Sequence, residues 1–277
     1  MINLLRGEFY KLRKSKCVYI CGIVMIVFVL FLYGTLYLAD RIQQGEMENG
    51  SYGFFVSEEL EGKDGQEPLS IWDAIGILDI EQEMFGTFAG IILAVFGSIF
   101  VIGEYGNGAV KNVVGKGYKR WKIFLAKYIA TTVITAILLL VMTGATLLFG
   151  VIFRGTEGLN GIFYQNLCSY TGIQILFGAV LIGIVIAVSE VCRNLGAGIA
   201  ISIGIISFSS LITAGLDLVF HKWNFKPSDY WITDLIVNCP VTDIDKNFLI
   251  RAVITSVVWI VLVFGMGVLH FGKADVK

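Results

Sequence analysis

The chain has 277 residues, of which 56% are hydrophobic and 16% charged, and its mean hydropathy is +0.77. Soluble domains carry about a quarter charged residues, so this composition excludes an ordinary soluble domain and indicates a protein of the lipid bilayer. The net charge of −1 hides an uneven distribution of charge along the chain, which is described below.

Uncharged runs long enough to cross a membrane occur six times. The hydrocarbon core is ~30 Å thick and takes about 20 helical residues to cross. The first run is much longer than the about 7–15 apolar residues of a signal peptide, so we interpret it as a retained helix. The sequence therefore predicts an all-α membrane protein, built as a single domain over residues 1–277, with spans at 17–39, 84–103, 128–153, 167–189, 194–216 and 252–271.

The charges between these runs predict the orientation. If the N-terminus is cytoplasmic, that side carries 14 of the 21 Lys and Arg residues but only four of the 22 acidic ones. Lys and Arg near span ends favour the cytoplasmic side. We therefore expect a multi-pass protein of a bacterial plasma membrane, with both termini in the cytoplasm.

Two longer segments fall on the outer side in this topology. Residues 40–82 are acidic and rich in Gly, and we expect a partly mobile cap. Residues 217–251 carry several aromatic side chains, which suit the membrane interface, and two prolines that favour a pair of short helices. Cys168 and Cys239 also lie on this side, and they either form a disulfide bond or remain unpaired.

Residues 1–16 have the pattern of a helix lying in the inner headgroup layer. Ile2, Leu5, Phe9 and Leu12 recur at helical spacing, and basic residues occupy most of the remaining circumference. The alternative is a simple basic flank that sets topology. The residues that define the predicted interfacial helix are Leu5, Glu8, Phe9, Lys11 and Leu12.

The segment 104–123 is predicted to form a short helix between the second and third spans. Asn107 can cap a helix whose apolar residues include Val110, Val113 and Val114, and Gly115 and Gly117 can end it. Such a helix suits contact with a cytoplasmic partner. On charge alone, a plain topology signal explains the basic residues equally well.

Two ordered patterns carry a resemblance to a known family. They are Glu104-Tyr105-x-x-Gly108-x-x-Lys111-Asn112, followed by Gly117-x-x-Arg120 and Lys127, and the opening Glu8-Phe9-x-Lys11-Leu12-x-x-Ser15-Lys16. The chain resembles the type-2 ABC transporter permeases, the membrane subunits of ATP-driven exporters. Its six spans and long first outer loop are similar to the branch that handles antimicrobial peptides. Tyr118 departs from the small hydroxyl residue that many relatives have before the arginine.

The resemblance implies a role and a set of partners. The short helix would dock into a separate ABC ATPase, present in two copies, which binds the ATP and Mg that this chain does not. A second copy of this permease or a related permease, the lipid bilayer and an amphipathic peptide cargo would complete the assembly, with immunity as one use and no nucleic-acid partner. Glu104 would pair with Lys111, Arg120 or a basic residue of the ATPase. The implied ATPase-coupling residues are Glu104, Tyr105, Asn107, Gly108, Val110, Lys111, Val113, Val114 and Arg120.

The sequence offers little for chemistry within the chain. The P-loop pattern is absent, since Gly115-Lys116 is followed by Gly117. Glu190 and Arg193 lie in a short inner turn, where we expect them to pair or to face water. An ion-coupled secondary transporter is one alternative and would be expected to carry acidic residues in the middle of its spans. A membrane sensor or enzyme is the other, and an enzyme would need a buried catalytic set.

Overall fold

The computed structural model describes residues 1–49, 71–106, 113, 115–154, 161–220, 226–239 and 246–273. This part of the chain is helical apart from short connections and contains no strand. Its helices are α1 (Ile2–Lys14), α2 (Lys16–Asn49), α3 (Ile71–Gly106), α4 (Arg120–Arg154), α5 (Gly161–Cys192), α6 (Leu195–Phe220), α7 (Ile232–Val237) and α8 (Lys246–Lys273).

The six predicted spans are confirmed as six helices that are long and apolar enough to cross a membrane. Most are longer than the uncharged runs. For example, α2 has 34 residues, or about 51 Å at 1.5 Å per residue, which exceeds the hydrocarbon thickness. Charged residues end an uncharged run without ending a helix, because they are good helix formers once they reach water. Of the predicted cap at 40–82, residues 40–49 continue α2 and residues 71–82 belong to α3, whereas 50–70 lie outside the described residues.

Helices α3 and α5 form the centre of the bundle. Their membrane-spanning portions are the most buried of the six, and α5 packs against α3, α4, α6 and α8. Two apolar clusters result, one around Phe96 and Ile182 and the other around Phe177 and Ile206. The remaining spans surround this pair and leave many apolar side chains exposed, as expected of a surface in contact with lipid.

Helix α1 packs along the ends of the spans. Its buried residues are Leu4, Glu8 and Leu12, whereas Ile2 is 80% exposed. Leu5 and Phe9 are half-buried. The inward stripe therefore runs through an acidic residue, whose carboxylate pairs with Lys11 of the same helix. We refer to this end of the molecule as the α1 end.

A tight turn connects α5 to α6 at the α1 end. Arg193 has a positive φ of 49°, an uncommon backbone conformation for a residue other than glycine. The side-chain oxygen of Asn194 then accepts hydrogen bonds from the backbone N–H groups of Gly196 (3.0 Å) and Ala197 (3.4 Å). These bonds cap the first turn of α6, so two residues suffice to reverse the chain.

The segment after α6 contains the two short helical elements that the prolines predicted. A 3₁₀ turn at Pro227–Tyr230 precedes α7, and both pack against α6. Thr213 on α6 donates a hydrogen bond of 2.5 Å to Asp234 on α7. Cys168 is exposed and Cys239 is buried, and they form no disulfide bond with each other.

Candidate functional site

Charged side chains of α1, α3 and α4 meet at the α1 end of the bundle. The ammonium nitrogen of Lys11 lies 2.8 Å from Oε1 of Glu8 and 2.8 Å from Oε1 of Glu104. The other oxygen of Glu104 lies 3.1 Å from Nζ of Lys127. Glu104 therefore joins a lysine of the surface helix to a lysine of a spanning helix.

The same charged chain continues into α5. Nζ of Lys127 is also 2.9 Å from Oε1 of Glu190. The hydroxyl of Tyr105 donates to the second oxygen of Glu190, and Lys127 and Arg193 lie over the Tyr105 ring at 5.6 and 5.5 Å from its centroid. We call this group the ionic cluster, and it consists of Glu8, Lys11, Glu104, Tyr105, Lys127 and Glu190.

The ionic cluster is largely removed from solvent. The side chains of Lys127 and Glu190 are each 1% exposed, and Glu104 is 9% exposed. Burial of a charge costs several kcal/mol unless a partner of opposite charge and good geometry offsets it, and removing one partner of a buried pair typically costs about 3–5 kcal/mol. Separating these ion pairs would therefore be costly in free energy, and they hold α1, α3, α4 and α5 in one arrangement.

The two charged groups on α1 respond differently to this environment. Burial raises the pKa of the Glu8 carboxyl, and the negative charge of Glu104 raises it further. Burial acts to lower the pKa of the Lys11 ammonium, but Glu104 and Glu8 outweigh it, and the pKa lies above its ordinary value of 10.5. Lys11 is therefore fully charged at neutral pH and links two carboxylates.

The arrangement is suited to holding helices together rather than to catalysis. The three carboxylates of the cluster each contact an ammonium group, and one oxygen of Glu8 is buried without a hydrogen-bond partner among the described residues. Within the described part of the chain, no group of three or more His, Cys, Asp or Glu side chains has the placement of a metal site.

The cluster lies directly beside the segment that was predicted to couple to an ATPase. Glu104 and Tyr105 are in the last turn of α3, and Arg120 is the first residue of α4. Val113 is half-buried and packs against the core of the bundle. Gly117 has a φ of 78° and lies in the turn before α4, as expected for a glycine that ends a helix. The predicted coupling residues Asn107, Gly108, Val110, Lys111 and Val114 lie outside the described residues.

The structure gives Glu104 two partners that the sequence did not indicate, Lys11 and Lys127. The expected partner Lys111 lies outside the described residues, and a pairing with Arg120 or with the ATPase stays a prediction. Glu190 does not face water. It is buried against Lys127 and Tyr105, while Arg193 lies over the Tyr105 ring.

Sequence reasoning assigned no site role to Lys127 or Glu190. Both carried a usable signal, since each is a single charge with apolar residues on either side, in Phe124-Leu125-Ala126-Lys127-Tyr128 and in Val188-Ser189-Glu190-Val191. A charge that lies just inside a membrane span usually has a partner or a function. Lys127 and Glu190 have opposite charges and lie near the same predicted surface of the membrane, which indicates that they pair.

Comparison with known families agrees with the resemblance carried by the motifs. Residues 4–210, roughly three quarters of the chain, match the family model described as ABC-2 family transporter protein. A search of curated proteins found no match. The matched region contains most of α1, the ionic cluster and the segment between α3 and α4. The chain therefore belongs to the ABC-2 family of transporter proteins, as a multi-pass membrane component whose family implies an ABC ATPase partner.

Proposed function

We propose that the chain is the permease subunit of an ABC exporter, and that the ionic cluster transmits movement from the ATPase to the spans. The observation that carries the proposal is the position of Glu104. It ends α3 beside the connecting segment, and it is paired with α1 on one side and with α4 on the other. A force applied to the connecting segment would therefore act on α1, α3, α4 and α5 together.

The direction of coupling follows from the predicted topology. With the α1 end in the cytoplasm, a cytoplasmic ATPase would contact the segment between α3 and α4. Two ATPase copies would bind ATP and Mg and close against each other, and the free energy for transport would come from the different affinities of the two conformations. A second permease, identical or related, would complete the translocation path.

The proposed cargo is an amphipathic peptide or a similar amphiphile, with immunity against an antimicrobial peptide as one use. This part rests on the resemblance of the span number and the long first outer loop to that branch of the family.

The ion-coupled alternative is not favoured by the acidic residues that the structure reveals. Glu104 lies two residues before the end of α3 and Glu190 two residues before the end of α5. Both are paired with Lys127, and Glu104 also with Lys11, so neither is a vacant site in the middle of the bilayer. Carriers that move protons or sodium would be expected to place such a group at depth and accessible to the ion.

The test is to remove the charge of Glu104 in the complete complex. The permease is tagged, purified from native membranes with the ATPase that accompanies it, and reconstituted. The isolated chain should hydrolyse no ATP, whereas the complex should. Glu104→Gln should reduce ATP hydrolysis by the complex about tenfold or more, because breaking a buried ion pair typically costs about 3–5 kcal/mol. The amount of ATPase bound should remain near that of the unmodified protein.

Asp229→Asn is the matched control. It also neutralises an acidic residue in an ion pair, but that pair, with Arg251 at 3.1 Å, is partly exposed and lies far from the α1 end. It should leave hydrolysis unchanged. Lys11→Gln, which breaks the same link from α1, serves as the second variant if Glu104→Gln does not insert. Normal turnover in the inserted variant, or hydrolysis by the isolated chain, would contradict the proposal.

A further inference from the structure

Glu8 is a buried acidic residue on the inward face of α1. Its side chain is 6% exposed, and Oε1 lies 2.8 Å from Nζ of Lys11, three residues further along the same helix. Its second oxygen, Oε2, is buried and has no hydrogen-bond partner among the described residues. Burying an ionised carboxylate is costly unless hydrogen bonds and opposite charges offset the loss of water. Half of this carboxylate therefore lacks the partners that its ionised form needs.

The ionic cluster contains one more acidic than basic side chain. Its acids are Glu8, Glu104 and Glu190, and its bases are Lys11 and Lys127. Glu104 contacts both lysines. Glu190 contacts one lysine and accepts a hydrogen bond from the Tyr105 hydroxyl. Glu8 has only Lys11, which it shares with Glu104, so a single proton that balances the cluster is best placed on Glu8.

The charges around Glu8 come from three helices and act in the same direction. Burial has the largest effect and raises the pKa of the Glu8 carboxyl above its ordinary value of 4.5, and the charge of Glu104 on α3 raises it further. Lys11 on α1 and Lys127 on α4 act to lower this pKa but do not outweigh the burial. Helix α4 is also the helix against which α1 mainly packs. The carboxyl therefore binds a proton more tightly when α1 is docked than when α1 is free.

We propose that Glu8 is a proton-binding site, which takes up a proton from the adjoining water on Oε2 when α1 docks against the bundle and returns it when α1 leaves. The neutral carboxyl still accepts from Lys11 through Oε1, and Lys11 keeps its link to Glu104. Attachment of α1 then responds to the pH of the aqueous phase beside it. This inference does not rest on the proposed export function, because it concerns only how α1 is held.

The sign of the pH dependence follows from the raised pKa. Proton binding favours the docked form fully below the ordinary pKa of 4.5, and this contribution is lost as the pH rises through the raised pKa of the docked carboxyl. If Glu8 instead stays ionised and stabilises α1 through Lys11, the sign is opposite. Replacing Glu8 by glutamine, which has the shape of the protonated carboxyl and cannot ionise, separates the two cases.

The first measurement is the Tm of the purified full chain in detergent, between about pH 4 and pH 9. The unmodified protein and Glu8→Gln should unfold at similar temperatures near pH 4. Near pH 9, Glu8→Gln should unfold roughly 2–4 °C higher, which corresponds to about a fivefold change in the folding equilibrium. A Tm of Glu8→Gln that is lower near pH 9, or equal at every pH, would overturn the proposal in favour of a simple ion pair.

Asp229→Asn is the matched control. It makes the same change from acid to amide, but in a partly exposed pair with Arg251. It should not raise the Tm at any pH in this range. A rise equal to that of Glu8→Gln would show a general effect of removing negative charge and would overturn the proposal.

The attachment of α1 is measured with a thiol on its inward face. Leu4 is 7% exposed on the same face as Glu8. In a chain without its five native cysteines, the thiol of Leu4→Cys should react with a water-soluble reagent mainly when α1 leaves the bundle. Near pH 9 the reaction should be about fivefold faster with Glu8 than with Glu8→Gln, matching the expected shift in Tm. Comparing the two chains at the same pH cancels the ionisation of the thiol, and equal rates would contradict proton-linked docking.

The proton itself is detected by infrared spectroscopy of the full chain, through the C=O band of protonated carboxyl groups. As the pH is raised from about 4, one component of this band should persist well above the ordinary carboxyl range in the unmodified protein. The component should be absent from Glu8→Gln and present in Asp229→Asn. Absence of the component from the unmodified protein, or its persistence in Glu8→Gln, would place no proton on Glu8 and would overturn the proposal.

Discussion

Lys127 is the residue on which the ionic cluster depends. It contacts Glu104 and Glu190 at once, and its side chain is 1% exposed. Without it, two buried carboxylates would lie at the ends of adjacent helices, and each would lose its contact with the ammonium group that joins them. Replacing Lys127 should therefore change the free energy of unfolding more than replacing any exposed lysine of the chain.

We predict that Lys127→Met lowers the free energy of unfolding by about 3–5 kcal/mol, the usual cost of leaving buried charges unpaired. Lys127→Met combined with Glu190→Met should cost less than the sum of the single changes, because the double variant removes an acid and a base together. The measurement is the midpoint of thermal or denaturant unfolding of the purified protein in detergent.

Lys16→Met is the control for this series, since Lys16 is exposed and lies outside the cluster. It should change the free energy of unfolding by no more than about 0.5 kcal/mol. Strictly additive effects of Lys127→Met and Glu190→Met would show that the two side chains do not interact as described.

Among the elements, the segment between α3 and α4 is predicted to dock to the ATPase mainly through its apolar face. A fully buried valine contributes roughly 1.5–3 kcal/mol, whereas an exposed ion pair contributes at most about 1 kcal/mol. Val110→Asp with Val114→Asp should therefore weaken ATPase association much more than Lys116→Ala with Lys119→Ala. The measurement is the amount of ATPase retained on the tagged permease.

Membrane insertion is checked in parallel, because the lysine changes can disturb topology. A double aspartate variant that inserts normally and still holds its ATPase at the original level would show that this segment is only a topology signal. Both valine positions lie outside the described residues, so this prediction rests on the sequence pattern and on the position of Glu104 and Val113 beside it.

The elements were predictable from the sequence to different degrees. The spans are predictable because a bilayer requires long uncharged helices. The 3₁₀ turn at Pro227–Tyr230 and the short helix α7 are predictable because prolines interrupt the chain there. The burial of Glu8 on α1 is not. Apolar periodicity predicts that Ile2 and its neighbours face the headgroup layer, but it gives no sign of the contact between Lys11 and Glu104 beside which Glu8 is buried. Pairings of this kind leave no trace in local spacing.

At the scale of the whole molecule, the distribution of charge predicts that the α1 end faces the cytoplasm. Single cysteines replacing Lys116 and Lys63, in a chain without its five native cysteines, should react oppositely with a thiol reagent that does not cross membranes. Position 63 should be labelled from outside intact cells and position 116 only after the membrane is opened. Labelling of position 116 from outside would contradict the predicted topology.

The two-residue turn at Arg193 and Asn194 limits how the bundle can move. A connection of two residues cannot lengthen, so α5 and α6 cannot separate at the α1 end. At the same end, Glu190 of α5 forms an ion pair with Lys127 of α4. Any relative rotation of these two helices must therefore pivot about the turn, and the displacement must grow with distance from it. The arrangement is that of a hinged pair whose free ends lie at the opposite surface of the membrane.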